Sequence, residues 1–370
     1  MADTIRVGII GANPDRSWAL RAHIPALASL PQYTLQAVST SRRESADAAA
    51  EKFEAPLAFD NHEQLVAHPD VDLVVVSVKV PHHHQLVMAA LEAGKPVFCE
   101  WPLGNGLDEA REMAALARRQ QVCTAVGLQA RAAPVINRVR DLVAQGYVGT
   151  VLSTSVVASG LAYGEFVEPA AAYLLDRANG ANLLTIASGH FLDALCYCLG
   201  EFEELGATLA TRRPEVTIAR TNERLPATSP DQVVVSGRLQ GGAVAAVHFR
   251  GGQSRGTNLL WEINGTDGDL LVSGAGGHVQ MLDLTLQGGQ ATDDGLAPLS
   301  IPDTYRWAPA ETPPGFPLNV AQLYVQLASD MQQGTRLSVD FDAAVVRHRM
   351  IAAIQTAAET GTRQTYVSEA

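Results

Sequence analysis

Over the first 128 residues, short apolar runs alternate with amphipathic stretches, and this alternation restricts the fold more than any other feature of the chain. The run Leu73-Val74-Val75-Val76-Ser77-Val78 is rich in β-branched residues and lacks a polar face. A strand of that composition is covered on both sides. Further strand patterns fall at 5–10, 34–39, 96–99 and 123–128. Helical patterns run to about Leu30, from near Glu44, over 84–93 with a stop at Gly94, and over 107–120. Strand and helix in strict alternation give an α/β doubly wound parallel sheet with right-handed crossovers. In such sheets a nucleotide binds at the carboxyl ends of the strands.

From Val151 the pattern changes to strands at 151–158, 205–211, 232–239, 243–249, 258–263, 269–272 and 278–286. Turns such as Gly241-Gly242 and Gly265-Thr266-Asp267-Gly268 separate several of them, as in a large, mostly antiparallel open sheet covered on one face. A helix at 183–198 interrupts the series, 287–316 reads as loop, and helices are expected near 317–333 and 342–360. No internal repeat is visible. The expected division is a dinucleotide-binding domain over 1–128, with helix 132–146 and the two late helices packing on it. A substrate and oligomerisation domain of the α+β type follows over 150–340.

The 370 residues suffice for two cores, and 47% apolar with 18% charged residues is a globular balance. A net charge of -12 argues against a nucleic-acid backbone or an anionic membrane as partner. No run reaches the roughly 20 apolar residues that span a bilayer. Met1-Ala2-Asp3-Thr4 leads straight into a strand without the pattern of a signal peptide. Cys99, Cys123, Cys196 and Cys198 sit in apolar segments, as reduced thiols of a cytoplasmic protein do. Cys196 and Cys198 have no second pair to complete a metal site.

Three stretches carry chemistry. Gly11-Ala12-Asn13-Pro14-Asp15-Arg16-Ser17-Trp18-Ala19 links a strand to a helix as a dinucleotide loop does, with Asn13 where a second glycine is usual. A plain strand-to-helix turn is the alternative reading. Ser39-Thr40-Ser41-Arg42-Arg43 ends the second strand with hydroxyls and arginines in place of the acid that binds a ribose 2′-hydroxyl, which favours NADP over NAD. A solvated loop would look the same. His190 and Asp193 lie three apart on one helical face. A histidine there suits proton transfer near neutral pH, with Asp193 as an orienting group, although a core histidine fits the pattern as well. The adjacent Pro81-His82-His83-His84 cannot turn three rings to one ion, so no metal is expected.

The chain as a whole resembles the glucose–fructose oxidoreductase, inositol dehydrogenase and rhizopine-catabolism (Gfo/Idh/MocA) family. The matching pieces are Val7-Gly8-Ile9-Ile10-Gly11, Pro81 with His83, Ala89 to Lys95, Glu100-Trp101-Pro102-Leu103, Gly127 with Arg131, and Gly146-Tyr147-Val148-Gly149. Within it, Gly11-x-Asn13 with Trp18-Ala19, Leu128-Gln129-x-Arg131, Asn179-Gly180, Thr185, Gly189-His190 with Asp193, Pro230-Asp231 and Gly265-Thr266-x-Gly268 resemble the subgroup of the fungal galactose-pathway repressor.

The resemblance implies a Rossmann domain binding NADP or NAD and a second domain that covers the substrate. It implies hydride transfer at a carbinol or carbonyl carbon of a sugar, cyclitol or other small molecule, in a homodimer or homotetramer. It places cofactor contacts at Gly11, Asn13, Trp18, Ser39, Ser41, Arg42, Val80, His83, Glu100, Trp101 and Gln129. Proton transfer falls to His190, with Tyr163 and Tyr173 nearby. Two departures stand out. The family's proton-handling lysine is replaced by Trp101, and its acid before the histidine falls on Thr185 or Ile186. A non-catalytic NADP-sensing transcriptional regulator is therefore the alternative, and a redox-cycling glycosidase with tightly held NAD ranks below both.

Overall fold

The computed structural model describes residues 4–367. Met1 to Asp3, including the expected entry into the first strand, lie outside the described residues. The chain forms two compact units, one of residues 1–132 with 306–345 and one of residues 133–305 with 346–370.

The first unit holds a six-stranded parallel sheet of β1 (Ile5–Ile10), β2 (Tyr33–Ser39), β3 (Leu57–Phe59), β4 (Leu73–Val76), β5 (Val97–Cys99) and β6 (Thr124–Val126). Its order is β3-β2-β1-β4-β5-β6, so the winding reverses between β1 and β4, where open α/β sheets bind ligands. All four residues of β4 are buried, as its unbroken apolar run requires. The crossovers carry α1 (Ile24–Ala28), α2 (Arg43–Phe53), α3 (His62–Ala67), α4 (His83–Glu92) and α5 (Leu107–Gln120). Acids open α5 (Asp108, Glu109) and arginines close it (Arg118, Arg119), each sign complementing the helix dipole. α4 stops where Gly94 takes φ +68° and Lys95 N–H donates back to the Ala90 carbonyl at 3.0 Å.

Two elements here escape the sequence pattern. β3 has three residues, none fully buried, and α3 has six, so neither offers a readable period. A π-helical turn over Ala19–His23 precedes α1, so the helix expected to reach Leu30 is a composite that ends at Ala28.

The second unit opens with α6 (Pro134–Ala144) and carries α7 (Gly189–Leu199) in front of an eight-stranded sheet. That sheet comprises β7 (Val151–Gly160), β9 (Phe202–Ala210), β12 (Gln232–Leu239), β13 (Val244–Gly251), β14 (Leu259–Gly265), β15 (Gly268–Gly274), β16 (Leu284–Gln290) and β17 (Ala297–Pro298). Only the β7–β13 pair is parallel, which satisfies the expected mostly antiparallel open sheet. β12 alternates buried and exposed residues along its whole length, the mark of one covered face. Phe191 of α7 meets Phe249 and Trp261 edge-on at 5.4 and 5.3 Å between ring centres, and the Trp261 indole N–H donates to Thr154 Oγ1. Such tilted contacts of large rings anchor the helix on the sheet.

The strand expected at 278–286 is displaced: β16 begins at Leu284, and 278–282 forms a turn in which Met281 and Leu282 N–H both donate to the His278 carbonyl. The stretch 287–316 is therefore not wholly loop, since it contains the end of β16 and all of β17. A second, three-stranded sheet of β8 (Phe166–Val167), β10 (Glu215–Ile218) and β11 (Arg224–Pro226) was not legible either. Val167, Leu175, Val216 and Ile218 give it a small core of its own.

α8 (Phe316–Gln333) belongs to the first unit, where Tyr324 is fully buried against Tyr33 and Phe98. α9 (Phe341–Thr360) continues into the second unit, where Arg347 is buried. Among the described residues no helix is long and apolar enough to cross a membrane, and all four cysteines are free.

Candidate functional site

In the first unit three strand ends meet at Gly11. Its N–H donates to the Ser39 carbonyl at 2.9 Å, and a Cβ added there would lie 2.3 Å from the Ser77 carbonyl oxygen. Its φ of +98° is in the left-handed region as well, so only glycine fits. Asn13 replaces a glycine by building its own turn, its Oδ1 accepting from the N–H of Asp15 and of Arg16 at 3.0 Å each. Ser17 Oγ then donates to the Asn13 carbonyl and accepts from Leu20 N–H, tying the loop to the helix it opens. Trp18 packs against Phe316 at 5.5 Å, and its buried indole N–H has no partner among the described residues.

The end of β2 offers a sharper division than the sequence did. Ser39 is buried and Ser41 exposed. Arg43 is engaged by Asp47 and the Ala58 carbonyl, whereas the exposed Arg42 side chain has no bonded partner among the described residues. A close backbone approach at Gly11, a switch-point sheet and a free guanidinium beside β2 fit a dinucleotide.

At the end of β5, Glu100 is clamped. Gln129 Nε2 donates to both carboxylate oxygens, at 3.1 and 2.9 Å, and His23 Nε2 lies 3.0 Å from Oε1. The other His23 nitrogen meets the Tyr324 hydroxyl at 2.8 Å, and Tyr33 donates to the Tyr324 carbonyl. A Cβ at Gly127 would sit 2.7 Å from Glu100 Oε2, which explains that glycine. Trp101 is buried beside this group. His83 is buried too, with Nδ1 2.8 Å from the Pro102 carbonyl and Nε2 3.1 Å from that of Val78, so it staples the turn bearing the buried Val80 to the Pro102 segment. His84 faces Glu112 and His82 is exposed, so the three rings do diverge. Gln129 and Glu100 were named from sequence; His23 and Tyr324 were not, because their spacing of 301 residues has no local signature.

In the second unit, the helix leading to His190 begins with a capping box. Asn182 Oδ1 accepts from Leu184 and Thr185 N–H, and the Thr185 hydroxyl accepts from Asn182 N–H at 2.9 Å. Thr185, one of the two positions on which the family's acid falls, is thus engaged in the helix cap. His190 is buried, and its Nδ1 has no hydrogen-bond partner among the described residues. Burial pushes its pKa down to about 3, with repulsion from His278 adding to the shift, so the ring is neutral at pH 7.

Asp193 takes part in a buried ion pair. It is fully buried 3.4 Å from Arg347 Nε, and Arg347 also binds Glu201, which accepts from the Tyr366 hydroxyl at 2.5 Å.

Tyr163 stacks on His278 with ring centres 6.3 Å apart and planes 18° from parallel. Burial raises the Tyr163 phenol, with Tyr173 adding to it, and raises Tyr173 also, so both stay protonated hydrogen-bond donors. His190, Tyr163 and Tyr173 thus share their surroundings with a residue the sequence reading missed. Gly276-Gly277 before His278 was the available signal, obscured by assigning 278–286 to a strand.

Comparison with known proteins agrees with this division. Residues 5–128 match the oxidoreductase family with the NAD-binding Rossmann fold, and residues 134–274 match the C-terminal domain of Gal80p. The dehydrogenase aclE of Aspergillus oryzae is 33% identical over 378 residues, covering 99% of this chain and 99% of its own. The galactose/lactose metabolism regulatory protein GAL80 of Saccharomyces cerevisiae is 31% identical over 80% of this chain and 73% of its own. The crystal structure of a super-repressor mutant of Gal80p from the same yeast superposes with a TM-score of 0.88 at 25% identity, covering 98% of each chain. With the Gly11 turn, the β3-β2-β1-β4-β5-β6 order and these matches along both units, the chain belongs to the Gfo/Idh/MocA oxidoreductase family, in the group whose second domain is of the Gal80p type.

Proposed function

We propose that the protein is an NAD(P)-dependent oxidoreductase acting on a carbinol or carbonyl carbon of a sugar, cyclitol or other small molecule, with His190 as the proton-transfer residue. The observation that carries this reading is the neutral, buried His190 ring with an unbonded Nδ1. A buried ring nitrogen without a partner is uncommon and calls for an explanation, which a bound substrate supplies.

When bound, the nicotinamide supplies or accepts the hydride. The Gly11 turn, Asn13, Trp18, Val80, His83, Glu100 and Gln129 would hold and orient it. Ser39, Ser41 and the free Arg42 side chain would take a 2′-phosphate, which favours NADP. Trp101 cannot move a proton, so it serves as an apolar wall. His190 takes the hydroxyl proton as the carbinol becomes a carbonyl, or returns it in the reverse direction, and Tyr163 and Tyr173 donate hydrogen bonds to substrate oxygens. Burial keeps the His190 ring neutral across the physiological range, so a lone pair is present for the hydroxyl proton, while the low pKa makes the isolated ring a weak base. We place the protein in the cytoplasm as a homodimer or homotetramer.

The test is a panel of sugars, cyclitols and ketones with NADP and NAD, following absorbance of the reduced cofactor. Turnover that falls by about 10²–10⁴ in His190→Ala supports the role. Turnover unchanged in that variant rejects it.

A second reading, a non-catalytic NADP-sensing regulator, is favoured by the Gal80p-type second domain and by Trp101, with Thr185 or Ile186, in place of proton-carrying side chains. Specific binding of NADP with no turnover on any panel member, together with capture of a transcription activator from the native host, would establish it instead.

A further inference from the structure

We infer that His278 is a second substrate-contacting residue, which pairs with His190 to hold an uncharged, hydroxyl-bearing substrate. The inference rests on the oxidoreductase reading only in placing the substrate at His190; the pair itself follows from the second unit alone.

Several segments converge on the pair. Gly277 N–H donates to the Ser159 carbonyl at 2.9 Å, fixing the residue before His278 to the end of β7. A Cβ at Gly277 would lie 2.6 Å from Phe249, so this close seating requires glycine. At the next position of β7, a Cβ on Gly160 would lie 2.3 Å from Leu183 and 2.8 Å from Tyr163, with Ala187 at 3.5 Å. The end of β7 thereby joins the Tyr163 ring, which covers His278, to the helical segment bearing Ala187 and, one turn on, His190.

His278 is 4% exposed, as is His190, and in each ring Nδ1 is buried with no hydrogen-bond partner among the described residues. Ser188 Oγ, also buried, is in the same condition. A buried polar atom without a partner destabilises a fold, and neighbouring ones in a packed core are rare. A ligand that supplies the missing partners accounts for them. Both rings are neutral, with burial taking His278 to about 4, so each carries one donor and one acceptor. A hydroxyl matches that pattern because it also donates once and accepts. A carboxylate or phosphate could accept from either ring but would find no counter-charge on two neutral imidazoles.

The variants are His278→Phe, which keeps the ring shape against Tyr163 without its nitrogens, and His278→Gln, which restores a donor and an acceptor. With the panel alcohol that turns over, His278→Phe should raise KM about tenfold, the loss of one hydrogen bond, while kcat falls less than about threefold. His278→Gln should recover part of KM, and the melting temperature of His278→Phe should equal or exceed the parent's. Ring nitrogen resonances of the parent, labelled with [¹⁵N]histidine and titrated with D-glucose and with myo-inositol, give a readout independent of turnover. Resonances of both His190 and His278 should shift with one of these. A parent KM in a well-folded His278→Phe, or a His278 resonance unmoved by either probe, overturns the inference. A His278 shift without any cofactor reduction would support the pair as a binding site and reject only the oxidoreductase reading.

Discussion

Acid should destabilise the second unit through two identified rings. His190 and His278 titrate at about 3 and about 4 in the folded chain, and unfolding returns each to ~6.5. Between those values the unfolded chain holds the extra protons, so stability rises with pH across the window and is lost as pH falls below ~6.5. From about pH 7.5 to about pH 5 each ring contributes a loss of about 2 kcal/mol, or about 4 kcal/mol for the two. Because carboxylates also titrate, the informative quantity is the difference between the parent and the double variant His190→Phe with His278→Phe, whose rings take up no proton. Urea unfolding followed by tryptophan fluorescence at the two pH values measures it. The parent should lose about 4 kcal/mol more than the variant on acidification. Equal losses in both would mean that the rings are protonated in the folded protein or reach solvent, and the neutral-imidazole site would be wrong.

Other outcomes follow from single contacts. Arg347→Met removes a buried guanidinium that reaches both Asp193 and the half-buried Glu201, and should cost about 3 kcal/mol in thermal or urea unfolding. Gly11→Ala places a methyl group 2.3 Å from the Ser77 carbonyl in a backbone region hostile to alanine, so cofactor binding followed by nucleotide fluorescence should be lost. If Arg42 holds the 2′-phosphate as proposed, Arg42→Ala should weaken NADP about tenfold in calorimetry and leave NAD unchanged. In the oxidation direction kcat/KM should stay level from about pH 8 down to about pH 5, with no break near the usual histidine value, since His190 titrates at about 3.

The legible parts of the chain are those where periodicity and burial coincide. β4 was readable because both its faces are covered, and α5 and β12 have the boundaries that their patterns indicate, 107–120 and 232–239. Gly11 was readable because a left-handed turn between strand and helix admits little else. The small sheet of β8, β10 and β11 was not, since its strands of two to four residues are shorter than any recognisable period. Nor was the ion pair of Asp193 with Arg347, because helical spacing predicts a shared face and not a contact so far along the chain. The His23–Glu100–Gln129 clamp depends on strand ends that only the sheet order brings together. His278 was hidden by a strand pattern starting six residues early.

The most direct test of the oxidoreductase role follows an atom. Alcohols deuterated at the carbinol carbon are incubated with the protein and oxidised NADP, and the reduced cofactor is examined by mass spectrometry. Hydride transfer with His190 as proton acceptor predicts deuterium in the cofactor with at least one sugar or cyclitol, slowed by about 10²–10⁴ in His190→Ala. Cofactor that binds yet gains no deuterium from any of them, or label gained at the parent's rate by His190→Ala, would contradict it.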